Sequence, residues 1–329
     1  MRDLMKEPVK ILFLGTGWES VATLKALLED KRFDIVGVIT TPDKLVGRKQ
    51  ISTPSEVKEY AVENSIPVFH TDKKPELYQK ALDKFKPELV VCKAFGEIIP
   101  KEFLEYPKYK CINVHFSILP KYRGAVPIQK AILDGQKMTG ISVMLMSEGL
   151  DEGDVLDIYE EEIRNIDTNL TLRQRLVKKS ADILGDVLEQ WINGGISARK
   201  QVNEEATYCW QKDISKENAQ IDWQNKTPQE IERMIRAFIP WPIAWTILPG
   251  NLNKNIAGKI MKIFRAELVE IPSEKDPGEI FTNDGKVLFA TRDPLVSLRV
   301  FEFQIEGRNK TNEKEFLNGI GRDILQARL

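Results

Sequence analysis

Short, mostly apolar runs recur along the first half of the chain, and the segments between them leave few folds open. The runs are 9–14, 34–39, 66–69, 88–92 and 111–115, with helical apolar spacing at about 20–28, 54–64 and 75–85. A strand buried on both faces reads as such a run, and parallel strands need crossovers of a dozen or more residues. The alternation therefore predicts a doubly wound α/β domain with a mostly parallel sheet. Pro54 suits a first helical turn with Thr53 as its cap. A helix at 127–134, strands at 140–146 and 155–160, and a long helix at 170–193 complete this first domain, expected over 1–195. A polar connector is expected at 196–220. Residues 221–329 form a second domain that opens with a helix at 227–238, behind Thr227 and Pro228. Its short apolar runs at 243–248, 259–269, 278–282, 286–291 and 295–304 alternate with turn residues, the pattern of a small antiparallel barrel.

The first strand runs into Gly15-Thr16-Gly17, which invites a dinucleotide reading. The third glycine of that fingerprint is missing, and bulky Trp18 stands where a pyrophosphate would approach. Gly15 and Gly17 are read as making a tight turn. The net charge of −1 points to no nucleic-acid binder at the whole-chain level, so such a role needs a local patch. Three scattered cysteines and two histidines fit neither a disulfide framework nor a zinc site. The N-terminal apolar run is too short for a signal peptide or membrane span, and a reduced cytoplasmic location is expected.

The chemistry concentrates in CINVHFSILPKYRGAVP, residues 111–127. Asn113 and His115 lie two apart on a strand, so their side chains share a side. Ser147–Asp154 forms an acidic loop in which Gly149 and Gly153 bracket Asp151. An amide donor, an imidazole and a carboxylate suit a reaction that builds negative charge on a carbonyl oxygen, with Asp151 favouring and orienting a charged His115. No Gly-x-Ser-x-Gly motif or activated cysteine accompanies them, which favours direct transfer between two bound substrates. Residue types alone leave a structural role for His115 open. His70 reads as a surface residue, and the basic stretch Lys44–Gln50 as an irregular loop, solvated or functional.

TTPDKLVGRK at 40–49, NVHFSILPKYRGAVPIQ at 113–129 and GLDEGD at 149–154 resemble the methionyl-tRNA formyltransferase family. ATY at 206–208, IDW at 221–223 and IRAFIPWPIAW at 235–245 resemble its C-terminal domain. The resemblance implies a Rossmann-like domain that takes 10-formyltetrahydrofolate as co-substrate, releases tetrahydrofolate and uses no metal. It implies Asn113, His115 and Asp151 as the catalytic trio. It implies Ser117, Ile118, Leu119 and Pro120, with Phe95, Gly96 and Ile98 of the 92–98 turn, as folate-binding residues. Lys44, Arg48, Lys49 and Arg123 would engage initiator methionyl-tRNA, assisted by an OB-like C-terminal domain, in a monomer with no membrane contact. The alternative acceptor is an amino sugar nucleotide. Three departures stand out: Trp18 for a smaller residue, Lys93 for an apolar one, and Phe116 for a glycine after the histidine.

Overall fold

The computed structural model describes residues 7–46, 50–252 and 254–319. They form two compact units, one from Met1–Gly124, Thr139–Glu162 and Gln174–Tyr208, the other from Ala125–Met138, Ile163–Arg173 and Cys209–Leu329. The units are not continuous in the chain, whereas the sequence pattern suggested consecutive domains. The stretch 196–208, read there as connector, groups with the first unit.

In chain order the elements are β1 (Val9–Gly15), α1 (Trp18–Glu29), β2 (Phe33–Ile39), β3 (Lys44–Val46), β4 (Ile51–Thr53) and α2 (Glu56–Glu63). Next come β5 (Val68–Phe69), α3 (Pro75–Phe85), β6 (Leu89–Lys93), α4 (Lys101–Glu105), β7 (Cys111–His115) and β8 (Arg123–Gly124). α5 (Pro127–Leu133), β9 (Met138–Leu145), β10 (Val155–Glu162), α6 (Asn169–Ile192) and β11 (Tyr208–Cys209) follow. The sheet order is β10-β9-β7-β6-β1-β2-β5. β1 pairs in parallel with both β2 and β6, and β6 with β7, while β9 runs antiparallel to β7.

The chain leaves β1 toward β2 on one side and returns to β6 on the other, so the topological switch lies between the ends of β1 and β6. Ligand crevices of open α/β sheets form at that point. Here it is tied shut at its base. Ser20 Oγ, at the start of α1, accepts from Thr16 N at 3.2 Å and donates to Lys93 O at 2.6 Å. Gly15 is needed for this approach, because a Cβ there would lie 2.6 Å from Ser20 Cβ. Alternate residues Leu12/Leu14 and Val90/Cys92 pack with Tyr78, Leu82 and Phe85 of α3 and Phe103 of α4 in one buried cluster.

Two local expectations change. α2 begins behind Ser55, whose Oγ accepts from Lys58 N at 3.1 Å, and Thr53 belongs to β4 instead of capping the helix. The basic stretch is no irregular loop at its ends: β3 and β4 pair antiparallel, with Lys44 opposite Thr53. Leu45 and Ile51 are exposed on this ribbon, so no burial pattern marked it in the sequence. Gly47, Arg48 and Lys49 lie outside the described residues.

The second unit contains α7 (Pro228–Ala237), β12 (Trp245–Ile247), β13 (Ile260–Val269), β14 (Ile280–Asn283), β15 (Lys286–Ala290), β16 (Ser297–Ile305), β17 (Thr311–Asn312) and α8 (Glu313–Asn318). Thr227 and Glu230 cap α7 reciprocally. The strands are antiparallel in the order β12-β13-β16-β15-β14, with β17 on β16. This is the antiparallel β domain that the turn-punctuated apolar runs predicted. Trp223 stacks on Phe289 at 5.0 Å between ring centroids, and its indole N–H donates to Thr246 Oγ1 at 2.8 Å.

Candidate active site

β7 ends beside the switch point and carries Asn113 and His115 two residues apart. Asp151 comes from the turn between β9 and β10, held at φ 50, a left-handed conformation that aspartate tolerates. The turn is pinned close: a Cβ on Gly153 would lie 1.9 Å from Leu145 O, so only glycine fits. Strand β9 next to β7 therefore delivers Asp151 to the two β7 side chains.

Asn113 Nδ2 donates to Asp151 Oδ1 at 3.2 Å, and the Gly124 backbone N–H donates to Oδ2 at 2.8 Å. His115 Nδ1 lies 3.6 Å from Asp151 Oδ2. His115 Nε2 is 2.9 Å from Tyr122 O; the carbonyl can only accept, so Nε2 carries a proton. His115 is 6% exposed. Burial pushes its pKa below the ordinary 6.5, against the opposing pull of the Asp151 charge. Nε2 is thus a donor to Tyr122 O, and Nδ1 is turned to Asp151. Burial opposes the charged histidine expected from residue types, because sequence shows the carboxylate but not the depth of burial.

Burial pushes the Cys92 thiol up to about 12, and Cys111 is also raised by burial, so both stay protonated thiols. Among the described residues no group of three His, Cys, Asp or Glu side chains could hold a metal ion.

The expected folate residues divide. Ser117 and Leu119 are buried and engaged by the protein. Ser117 Oγ donates to Lys121 O at 2.6 Å, and Ser142 Oγ bridges the turn, donating to Ser117 O at 2.7 Å and accepting from Leu119 N at 3.1 Å. Leu119 packs with Met144 and Val155. Their side chains are committed within the turn and give it its shape. Ile118 and Pro120 remain half-buried. In the other turn Phe95 is half-buried, Gly96 faces open space, and Ile98 is 92% exposed. The intervening Glu97 fixes this turn by accepting from Thr71 Oγ1 at 2.6 Å and Tyr78 OH at 3.0 Å. His70, expected at the surface, is half-buried, with Nδ1 2.8 Å from Thr40 O.

Of the expected tRNA contacts, Lys44 is exposed on β3, and Arg48 and Lys49 lie outside the described residues. Arg123 is corrected. It is 1% exposed and donates to Gln201 Oε1 at 3.0 Å, Tyr208 OH at 3.1 Å and Asn203 Oδ1 at 2.8 Å. A guanidinium so enclosed cannot meet a phosphate. Gln201, which the sequence reading passed over as connector, donates its amide to Asp151 O at 2.9 Å and Gly153 O at 2.7 Å. No periodicity or motif marks it; only the fold brings it to the acidic turn.

A family model described as formyl transferase matches residues 9–188, and one described as formyl transferase, C-terminal domain, matches 213–321. The chain is 39% identical over 317 residues to the methionyl-tRNA formyltransferase of Geobacillus sp. (strain WCH70), covering 95% of each. It is 37% identical over 315 residues to that of Bacillus licheniformis, again covering 95% of each. The fold is similar to the sugar 3N-formyl transferase WlaRD, solved in the presence of dTDP and 5-N-formyl-THF. The TM-score is 0.64 at 23% identity, over 92% of this chain and 99% of that one. With both halves matched and identity sustained along nearly the whole length, the chain belongs to the methionyl-tRNA formyltransferase family.

Proposed function

We propose that the chain transfers the formyl group of 10-formyltetrahydrofolate to the α-amine of methionyl-tRNA by direct attack. The observation that carries this reading is the convergence of Asn113, His115 and Asp151, from two separate segments, beside the switch-point crevice. Family membership supports the choice of donor and acceptor.

The folate supplies an activated formyl carbon. Free α-amines have pKa values of about 7.7–8.0, so a useful neutral fraction exists at neutral pH. Attack forms the N–C bond and places negative charge on the formyl oxygen. One Asn113 amide hydrogen is committed to Asp151, and the second is available to that oxygen. Neutral His115 accepts the proton that the amine loses. The imidazolium so formed lies against the Asp151 carboxylate and can help hold the oxyanion. As the intermediate collapses, the bond to the folate nitrogen breaks and that nitrogen takes up the proton. Asp151 keeps its geometry throughout, through the Gly124 N–H and the Asn113 amide.

In this reading the open turn at Phe95, Gly96 and Ile98, together with Ile118 and Pro120, borders the folate. The β3–β4 ribbon bearing Lys44, with Arg48 and Lys49 between its strands, meets the tRNA backbone. The test is transfer of labelled formyl from 10-formyltetrahydrofolate to methionyl-tRNA beside a panel of amino sugar nucleotides. Formylated methionyl-tRNA is the expected product. Labelling of a sugar nucleotide alone would keep the trio and overturn the acceptor.

A further inference from the structure

Lys93 and Phe116 face each other in the fold. Lys93 ends β6 and is 2% exposed, while Phe116 follows His115 and is buried. The Lys93 ammonium lies 3.0 Å from the centroid of the Phe116 ring and donates to Val114 O at 2.9 Å. Val114 is the residue between Asn113 and His115, so this bond grips the backbone from which both side chains project. At its other end the Lys93 carbonyl is held by Ser20 Oγ. Lysine is almost never fully buried without partners, and an aromatic face stabilises a desolvated cation. The ring belongs with the charge: a glycine at 116 would leave the ammonium without it, and an apolar residue at 93 would not need it.

We propose that Lys93, braced by Phe116, is a positioning residue of the transfer site, fixing the strand that carries Asn113 and His115 and placing a positive charge beside the imidazole. This rests on the reading of His115 as the proton acceptor. The charged and titratable groups around His115 come from three directions. Asp151 of the β9–β10 turn favours the imidazolium; Lys93 of β6 opposes it; Cys92 stays a neutral thiol; and Tyr122 presents its carbonyl. Burial is the largest influence and lowers the His115 pKa, against Asp151 and the Tyr122 carbonyl, and Lys93 adds to the lowering.

The test uses the full chain with Lys93→Met, Lys93→Arg and the double variant Lys93→Val/Phe116→Gly. Two readouts are taken: kcat/KM against pH, and the His115 ring signals by NMR titration, which need no turnover. Removing the charge is expected to raise the His115 pKa and to move the acid limb of kcat/KM upward with it. KM for the folate should stay within about twofold, since no folate contact is removed. Lys93→Arg should restore the wild-type limb. The double variant keeps the test available if Lys93→Met does not fold. An unmoved His115 titration in every folded charge-removing variant would overturn the proposal. A shifted titration in a protein that formylates no acceptor would uphold the Lys93 effect and sink the transfer reading instead.

Discussion

Gln201 holds Asp151 by the main chain: its amide donates to the Asp151 carbonyl at 2.9 Å, leaving the carboxylate to Asn113, Gly124 and His115. The amide oxygen of Gln201 is in turn held by Arg123 Nε at 3.0 Å. Positioning thus passes from a buried guanidinium to an amide to the acidic turn. Gln201→Ala should leave Arg123 and two turn carbonyls short of a partner, at roughly 1–3 kcal/mol for each buried group left unsatisfied. The expected result is kcat reduced ~10-fold with KM nearly unchanged, and faster amide hydrogen exchange across 147–154. Slow exchange with full kcat would remove Gln201 from the mechanism.

Arg123→Lys should not be conservative, because one ammonium cannot reproduce a fork that reaches three acceptors. Loss of thermal stability is expected with no change in the salt dependence of KM for tRNA. A weaker salt dependence would return Arg123 to the tRNA surface.

Asn113→Ala should lower kcat by ~10²–10³, the usual loss for one oxyanion donor. His115→Ala and Asp151→Ala should abolish measurable transfer while far-ultraviolet circular dichroism shows a folded chain. Near-normal turnover in both would dismantle the site.

Burial lowers the His115 pKa below 6.5, so the folded state takes up this proton less readily than the unfolded chain. Above pH 6.5 neither state carries it, and its contribution is neutral there. As pH falls below about 6.5 the unfolded chain protonates first, and stability is lost until the folded pKa is reached. Urea denaturation of wild type and His115→Gln should diverge in that window only, with the wild type losing more. Parallel curves would show an exposed, ordinary histidine.

If the β3–β4 ribbon meets tRNA through charge, raising salt should increase KM for methionyl-tRNA steeply and for the folate little. Lys44→Ala and Arg48→Ala should each flatten that dependence by about one unit of slope in a log–log plot. Equal salt effects on both substrates would contradict a charge-led contact.

What the sequence made legible follows from what is local. α3 falls at Pro75–Phe85 as read, since its apolar spacing and N-terminal proline lie within the element itself. β7 falls at Cys111–His115 for the same reason, Cys111, Ile112 and Val114 giving it an apolar frame around Asn113 and His115. Arg123 was misjudged because its partners lie 78 to 85 residues away and nothing nearby betrays its burial. Gln201 was missed on the same ground. The burial of His115 was not legible because a neighbouring carboxylate can be inferred from motif, whereas desolvation belongs to the packed whole. The ribbon escaped notice because two exposed strands carry no apolar period.

The interleaving of the first unit also sets a timetable. A ribosome adds ~5–20 residues per second, so the 50 positions separating Asp151 from Gln201 take about 3–10 s to emerge. During that interval the nascent chain already contains the trio, while the glutamine and arginine tether that steadies the acidic turn is still incomplete. A polypeptide ended at 195 would contain Asn113, His115 and Asp151 and lack Gln201, whose amide ties the acidic turn. Alignment of that turn therefore waits on residues made after all three side chains.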